Sequence, residues 1–254
     1  LELNNGKYMK LLEWIPINKV DWKGLCDNPN AIHLLEKNLD KMTTSCWGAL
    51  SRNPNAIHIL EKNLDKVCWE GLSGNPNAIP LLEKNLDKLN EDGVVFWGLL
   101  LNPNAIHIIE KNLDKLNEDD WGCLCKNPNA VPLLEKNLDK ICWERLCQNP
   151  NAVHIIEQNL DKLNEEAWYR LAGNPNAVYI LEENLDKMTT DMLWYNGGWY
   201  PLSRNPNAIH ILEKNLDKVS WNGLCQNPNA VHIIEKNMNK VDWEGLCDNP
   251  NAIH

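Results

Sequence analysis

The sequence repeats one pair of side chains that could bind a metal or transfer protons, a histidine followed three residues later by a glutamate. In His58 and Glu61 this spacing places an imidazole and a carboxylate, both of them zinc ligands, on one face of a helix. All seven histidines occupy the same place in the repeat: His33, His58, His107, His154, His210, His232 and His254. Stacked helices lie about 8–10 Å apart, whereas each ligand of a zinc ion lies about 2 Å from it. We therefore predict no metal site.

The histidine column is predicted to face solvent, because its neighbours on the helix are Glu, Lys and Asp. Imidazole changes its charge near neutral pH, so this surface could bind a partner in a pH-dependent way. The candidate partner-binding residues in this column are His33, His58, His107, His154, His210 and His232.

Nine cysteines form the second group of reactive side chains. Five stand two residues before the next repeat motif, in a column otherwise filled mostly by small residues: Cys26, Cys125, Cys147, Cys225 and Cys247. Repeats are spaced too widely for the roughly 4.4–6.8 Å between Cα atoms that a disulfide requires. The pair Cys123 and Cys125 lacks the second pair of ligands of a zinc site. We predict reduced thiols in the core and a cytoplasmic protein.

The net charge of the chain and the absence of known catalytic motifs disfavour several classes of function. Lys and Arg number 25 against 35 Asp and Glu, and the net charge of −10 disfavours nucleic acid and acidic membranes as partners. The sequence has no phosphate-binding glycine loop, no His-Glu-x-x-His and no nucleophile elbow. No apolar run reaches the roughly 18 residues of a membrane span. We therefore predict that the protein is not an enzyme, uses no cofactor, and binds neither nucleic acid nor membrane.

These side chains belong to a tandem repeat that begins with Asn-Pro-Asn-Ala. The motif starts at Asn28, Asn53, Asn75, Asn102, Asn127, Asn149, Asn174, Asn205, Asn227 and Asn249. The shortest spacing is 22 residues, and longer repeats gain residues only in one place, which corresponds to the segment between Lys66 and Trp69. Positions are counted below from the first Asn of each motif.

Each repeat predicts two short helices. In the copy that starts at Asn53, apolar residues at positions 4, 5, 7, 8 and 12 form the buried stripe of a helix over 56–66. The second Asn of the motif, here Asn55, is a good N-cap, and Pro80 and Pro132 suit the first turn in other copies. A second helix contains the Trp that follows. Its predicted caps are Asp21, Cys68, Cys142, Ser220 and Asp242 in short repeats, and Thr43 and Asn117 in longer ones.

Two more columns have alternative interpretations. The aromatic column comprises Trp22, Trp47, Trp69, Trp121, Trp143, Trp168, Trp199, Trp221 and Trp243, with Phe96 in this register in the remaining repeat. We expect core packing of these rings, the alternative being a stacking platform for single-stranded nucleic acid. Asn at position 11, as in Asn63 and Asn137, is either a hydrogen-bonded ladder between neighbouring turns or a tolerated polar residue beside the core.

The predicted fold is all-α. Two short helices cannot bury their apolar faces alone, but a stack of such pairs buries a continuous core. We predict an α-solenoid of about ten helix-turn-helix repeats of 22–31 residues, forming one array over 1–254. Residues 1–27 are interpreted as a degenerate first unit, in which Leu11, Leu12 and Glu13 match the Leu-Leu-Glu of other copies. The last repeat is truncated, and its open face favours head-to-tail self-association.

The pattern from Asn53 to Lys66, followed by Trp69, resembles tandem repeats in proteins of giant DNA viruses of protists and algae. The resemblance extends from about Asp21 to His254. It implies a virus-encoded protein located in the host cytoplasm or in the virion, and it implies nothing about activity.

The insertion at 188–201 departs furthest from the period. It places Trp194, Tyr195 and Tyr200 around Asn196-Gly-Gly, a composition typical of a protein contact on a projecting loop. A loop that folds back onto its own array fits the same residues. We predict a non-enzymatic scaffold that presents an extended surface to unknown protein partners. A self-assembling structural or virion-associated component is the alternative, and an enzyme or metal protein that uses the His-x-x-Glu face is a third hypothesis.

Overall fold

Pairs of short helices, one pair per repeat, make up the architecture in the computed structural model of the chain, which describes residues 2–4, 8–10, 15–89, 95–188 and 198–252. Within each of the two compact units of the chain, second helices of consecutive repeats pack against each other, which confirms the all-α class and the α-solenoid arrangement. The described residues fall into two compact units, 1–120 and 121–254.

In the first unit, the α-helices are α1 (Trp22–Cys26), α2 (Ile32–Glu36), α3 (Thr44–Arg52), α4 (Ile57–Leu60), α5 (Trp69–Ser73), α6 (Ile79–Glu83), α7 (Val95–Leu101) and α8 (Ile106–Glu110). Helix α9 (Glu118–Leu124) spans the boundary between the units. Short 3-10 helices cover Ile17–Lys19, Leu39–Lys41, Leu64–Lys66, Leu86–Leu89 and Leu113–Lys115.

In the second unit, the α-helices are α10 (Val131–Glu135), α11 (Trp143–Leu146), α12 (Val153–Glu157), α13 (Glu165–Ala172), α14 (Val178–Glu183), α15 (Trp199–Arg204), α16 (Ile209–Lys214), α17 (Trp221–Cys225), α18 (Val231–Glu235) and α19 (Trp243–Cys247). Its 3-10 helices cover Leu138–Lys140, Leu160–Lys162, Leu185–Lys187 and Met238–Lys240.

Two short strands precede the helices. Strands β1 (Glu2–Asn4) and β2 (Tyr8–Lys10) pair antiparallel, with Leu3 opposite Met9. The all-α prediction does not include these strands, because three-residue strands are too short to show a period-two pattern. The Leu11–Glu13 match to the repeat lies outside the described residues.

The motif Asn-Pro-Asn forms a turn that is closed by its first Asn. Asn53 Oδ1 accepts a hydrogen bond from the backbone N–H of Asn55 at 3.0 Å, as in other Asx turns. Helix α4 begins only at Ile57, and its N-cap residue is Ala56. The predicted cap at the second Asn is therefore wrong, because the first Asn holds the turn one step earlier.

Position 11 ends the first helix, so the predicted helix over 56–66 is too long. Asn63 has φ −137° and ψ 47°, and its side-chain Nδ2 donates to the Ile59 carbonyl at 2.8 Å. The side chain thereby replaces a helical N–H with its own donor. Equivalent bonds are donated by Asn38, Asn85, Asn112, Asn137, Asn159, Asn184, Asn215 and Asn237. Each amide thus bonds a backbone carbonyl one turn earlier, as the first interpretation predicts, but these bonds stay within one repeat and form no ladder between repeats.

The ladder between repeats is instead built by the first and second Asn of the motif. Asn227 Nδ2 donates to the carbonyls of Ser203 and Asn205, at 2.9 Å each. Asn229 Nδ2 donates to Pro206 O at 2.9 Å. The first Asn is buried wherever a preceding repeat covers it, as in Asn227 at 0% exposure. The same double donation is made by Asn75, Asn102, Asn149, Asn174, Asn205 and Asn249.

Burial of the Trp column varies with repeat length. In the longer repeats the second helix begins before the Trp, and Trp47, Trp121 and Trp168 are buried. In short repeats the Trp is the first helical residue and is half-buried, as in Trp69 and Trp221. The core prediction therefore holds fully for the longer repeats and partly for the short ones.

Three tryptophans do not follow this division by length. Trp199 is buried at the start of α15, and its Nε1 donates to the Met188 carbonyl at 3.1 Å. Trp97 and Trp243 are 51% and 61% exposed, so the core prediction is wrong for Trp243.

Position 12 is not uniformly part of the buried stripe. It opens the 3-10 helix, and Leu64, Leu86, Leu138 and Met238 are 40–54% exposed. The prediction that this position is buried is wrong for these repeats, because the α-helix has already ended at position 11.

Candidate functional site

Consecutive second helices approach each other through the residue two places after the Trp register, which we call the contact column. It comprises Gly24, Ala49, Gly71, Gly98, Cys123, Arg145, Arg170, Pro201, Gly223 and Gly245. Where the residue is Gly, the helices are in close contact. A Cβ at Gly223 would lie 2.8 Å from the Tyr200 carbonyl, and one at Gly245 would lie 2.9 Å from the Asn222 carbonyl. Only glycine fits such an approach without a shift.

The contact column loses its small residues in three consecutive repeats, at Arg145, Arg170 and Pro201. The Arg145 side chain packs against Gly122 of the preceding second helix. A Cβ at Gly122 would lie 3.0 Å from a guanidinium nitrogen of Arg145. The same guanidinium donates to Cys123 Sγ at 3.4 Å. Arg170 and Pro201 follow in the next two helices, and a groove opens beside them.

This groove, which we call the Tyr–Pro groove, has a volume of about 480 Å³ and lies wholly within the second unit. It is lined by Gln148, Pro150, Glu166, Tyr169, Arg170, Gly173, Asn174, Pro175 and Pro201. Asn174 belongs to the buried ladder and forms a fixed floor, because its Nδ2 donates to the carbonyls of Cys147 and Asn149. Clefts with apolar rings and a few polar groups are the usual form of binding sites.

The charges around the Tyr–Pro groove nearly balance. Arg170 Nε donates to Glu166 Oε1 at 2.7 Å. Glu144, on the preceding helix α11, accepts a hydrogen bond from its own backbone N–H, which lowers the pKa of its carboxyl, and the amide of Asn164 and the charge of Arg170 lower it further. Two carboxylates therefore flank one guanidinium at this place.

Tyrosines occupy the position before the contact column in α13 and α15. Burial raises the pKa of Tyr169, and the nearby Tyr200 hydroxyl and Glu166 carboxylate raise it further. The Tyr169 hydroxyl therefore stays protonated as a hydrogen-bond donor at neutral pH. The Arg204 guanidinium lies over the Tyr200 ring, 5.8 Å from the ring centroid. Rings and arginines of this kind are enriched at protein interfaces.

A smaller cavity of about 280 Å³ lies in the first unit. Its lining residues are Arg52, Cys68, Glu70, Gly71 and Gly74. Glycine at 71 keeps α3 and α5 close, since a Cβ there would lie 3.1 Å from the Gly48 carbonyl. The space is correspondingly small and has no aromatic wall.

Five histidines of the column are exposed, and each of them contacts a glutamate outside its own helix. His58 Nε2 lies 2.8 Å from Oε1 of Glu36, which belongs to the preceding repeat. The same contact joins His107 to Glu83, His154 to Glu135, His210 to Glu182 and His232 to Glu213, at 2.8–3.3 Å. These five histidines therefore contact the glutamate of the preceding repeat and not the glutamate three residues further along their own helix.

The remaining predicted site residues have different outcomes. Tyr200 is half-buried beside the Tyr–Pro groove, and His33 is half-buried in α2. Trp194, Tyr195 and His254 lie outside the described residues. Within the described ranges, no three His, Cys, Asp or Glu side chains come together as metal ligands.

The cysteine column lies mainly in the core. All nine cysteines are free thiols, and Cys26, Cys125, Cys147 and Cys225 are buried, whereas Cys247 is exposed. Burial raises the pKa of Cys26, Cys125 and Cys147 to about 12. These thiols are therefore poor nucleophiles, because the thiolate is the reactive form.

Sequence reasoning missed Tyr169, Arg170 and Gln148 as candidate site residues. The available signal was the loss of small residues in the contact column at 145, 170 and 201, which the repeat alignment displays. Comparisons with protein-family models, with curated proteins and with solved structures give no match. In the part of the chain that the structure describes, no helix combines the length and apolar character needed to cross a bilayer.

Proposed function

We propose that this protein is a non-enzymatic scaffold that presents an extended protein-binding surface. The observation that carries the proposal is the Tyr–Pro groove, a binding-sized cleft on an otherwise regular array. Arrays of stacked helices commonly use extended surfaces of this kind for binding.

The groove differs from its surroundings in a way that supports a binding role. Elsewhere in the second unit, the contact column is closed by Gly223 and Gly245, which leave no space between helices. In the groove, Tyr169 and Arg170 are half-buried, so they can gain contact area when a partner binds. Tyr and Arg are the residue types that most often dominate binding energy.

A reducing compartment, such as the cytoplasm, is the location that we propose for this scaffold. The support is the set of free thiols, six of them packed in the core without a disulfide partner.

Site-specific photo-crosslinking tests the scaffold function. A photoreactive phenylalanine analogue replaces Tyr169 in the groove or, as matched control, Tyr179, which is 47% exposed on a first helix. The full chain is irradiated in extracts of cells that produce it. We expect a discrete crosslinked protein from position 169. Crosslinks to copies of the same chain alone favour self-assembly, and the lack of any crosslinked protein at both positions contradicts the proposal.

A further inference from the structure

We propose that the Tyr–Pro groove binds a proline-rich segment of a partner protein in the polyproline II conformation, with a basic residue flanking the prolines. This inference rests on the proposed scaffold function and specifies the class of partner. Four observations support it, from the walls, the hydrogen-bonding groups, the spacing and the charge of the groove.

The walls of the groove are rings. Pro150, Pro175 and Pro201 line it together with Tyr169, and the first two prolines are exposed. Proline-rich segments dock in grooves with aromatic walls, because the stiff polyproline II helix loses little entropy on binding, and Tyr169 provides the aromatic ring here.

The polar groups of the groove are mainly donors. Within the described part of the chain, no hydrogen bond engages the Tyr169 hydroxyl or the Gln148 side-chain amide, and Arg170 retains guanidinium N–H groups beyond the one given to Glu166. A proline-rich backbone has carbonyl acceptors but few N–H donors. The groove therefore supplies the hydrogen-bond donors that such a segment lacks.

The spacing of the groove matches the period of the ligand. Pro150 and Pro175 occupy the same place in consecutive repeats, and stacked helices lie about 8–10 Å apart. A polyproline II helix has three residues per turn at about 3.1 Å each, so it presents the same face about every 9 Å. A segment that crosses the two repeats therefore contacts both prolines with equivalent residues.

Charge selects the flank. Glu166 and Glu144 flank the Arg170 guanidinium, and Arg204 also acts on Tyr169, so the charges beside the groove nearly balance and the charge of the whole chain sets the preference. The whole chain carries −10. A basic residue at the end of the proline segment is therefore favoured, and an acidic one is repelled.

Fluorescence anisotropy with defined peptides tests the inference on the full chain. The probe is a labelled peptide of nine prolines with an arginine at each end. One control replaces the prolines by alternating glycine and serine, and another replaces both arginines by glutamate. We expect saturable binding of the probe and at least about tenfold weaker binding of both controls, the effect of one strong contact.

Variants locate the binding. Tyr169→Ala is expected to weaken the probe about tenfold, and Tyr169→Phe about fivefold, the value of one hydrogen bond. Tyr179→Ala, on a first helix, leaves affinity unchanged, and circular dichroism checks that each variant is folded. Absence of probe binding, equal binding of either control, or full affinity in Tyr169→Ala overturns the inference. A crosslinked partner that lacks a proline-rich segment also overturns it while leaving the scaffold function in place.

Discussion

Two pairs of neighbouring second helices in the second unit differ in the contact-column residue of the later helix. Helices α15 and α17 meet at Gly223, where a Cβ would lie 2.8 Å from a backbone carbonyl. Helices α11 and α13 meet at Arg170, and the Tyr–Pro groove opens between them and α15. The asparagine ladder is the same in both pairs, with donor–acceptor distances of 2.9–3.1 Å. The ladder therefore holds the repeats in register, while a single side chain sets how closely the second helices approach.

Side-chain bridges between second helices are found in both regions. Between α17 and α19, Asn222 Nδ2 donates to Asp242 Oδ2 at 3.1 Å. Between α11 and α13, the amide of Asn164 donates to the Glu144 carboxylate. Both bridges join an amide to a carboxylate, but the acid lies on the later repeat between α17 and α19, which meet at Gly245, and on the earlier repeat between α11 and α13.

Removal of tryptophan gives the largest expected contrast between the two regions. Trp168 of α13 is 6% exposed, whereas Trp221 of α17 is half-buried. Trp168→Ala is expected to lower the free energy of unfolding by about 4 kcal/mol, and Trp221→Ala by about 2 kcal/mol because less area is buried. Urea denaturation followed by circular dichroism measures both. Equal losses would show that repeat length does not control how the ring is packed.

Substitution in the asparagine ladder is expected to affect both regions alike. Asn174→Ala beneath the groove and Asn227→Ala between α15 and α17 each remove two hydrogen bonds to buried backbone carbonyls of the preceding repeat. We expect each variant to lose about 3 kcal/mol. Gln226→Ala, which removes a partly exposed side-chain bond to Asn222, serves as the control, with a loss below about 1 kcal/mol. A large difference between the two ladder variants would tie the ladder to helix spacing.

Exchange of the contact-column residues tests the comparison directly. Gly223→Arg forces α17 away from the Tyr200 carbonyl and is expected to cost about 2 kcal/mol. The reverse change, Arg170→Gly, removes a half-buried side chain and is expected to change stability by less than about 1 kcal/mol. Urea midpoints of the two variants give the result. A Gly223→Arg chain as stable as the native one would mean that α15 and α17 are not closely packed.

The smallest expected effect is a pH dependence of stability at the contact between α17 and α19, which meet at Gly245. The Gly245 backbone N–H and the Asn222 amide lower the pKa of Asp242 below 3.8. Folding therefore favours the carboxylate, so its stabilising effect is present above pH 3.8 and is lost as pH falls through the folded pKa. Asp242→Asn is expected to flatten the decline of the urea midpoint between about pH 4 and 2. Ser220→Ala, at a cap that does not titrate, should leave that slope as in the native chain.

The repeat period predicted the helix pairs, the place of the length changes and the burial of Trp168, because these depend on periodic apolar residues. Helix length was not predictable from the same pattern. The apolar stripe continues through Leu64, but Asn63 before it supplies its own donor to Ile59 and leaves the helix. Competition between a side chain and the backbone of this kind is local and does not appear in the apolar period.

The groove was visible in the sequence only as an irregularity. Arg170 and Pro201 interrupt a column of mostly small residues. The structure is needed to show that residues of this column lie where second helices of consecutive repeats contact each other. The partners of His58 and His232 were missed for the same reason, since each is a glutamate in the preceding repeat. Contacts between elements remote in sequence are the part of the site that spacing within one helix cannot predict.

The acceptors of the asparagine ladder are backbone carbonyls, which every amino acid possesses. Asn77, for example, needs only the carbonyl of Pro54, and Asn75 needs those of Ser51 and Asn53, whatever side chains those repeats carry. A repeat that is duplicated, deleted or exchanged within the gene therefore still finds its hydrogen bonds in the new neighbour. Gene rearrangement could therefore move or multiply a cleft along such a chain while the hydrogen bonds between repeats are retained.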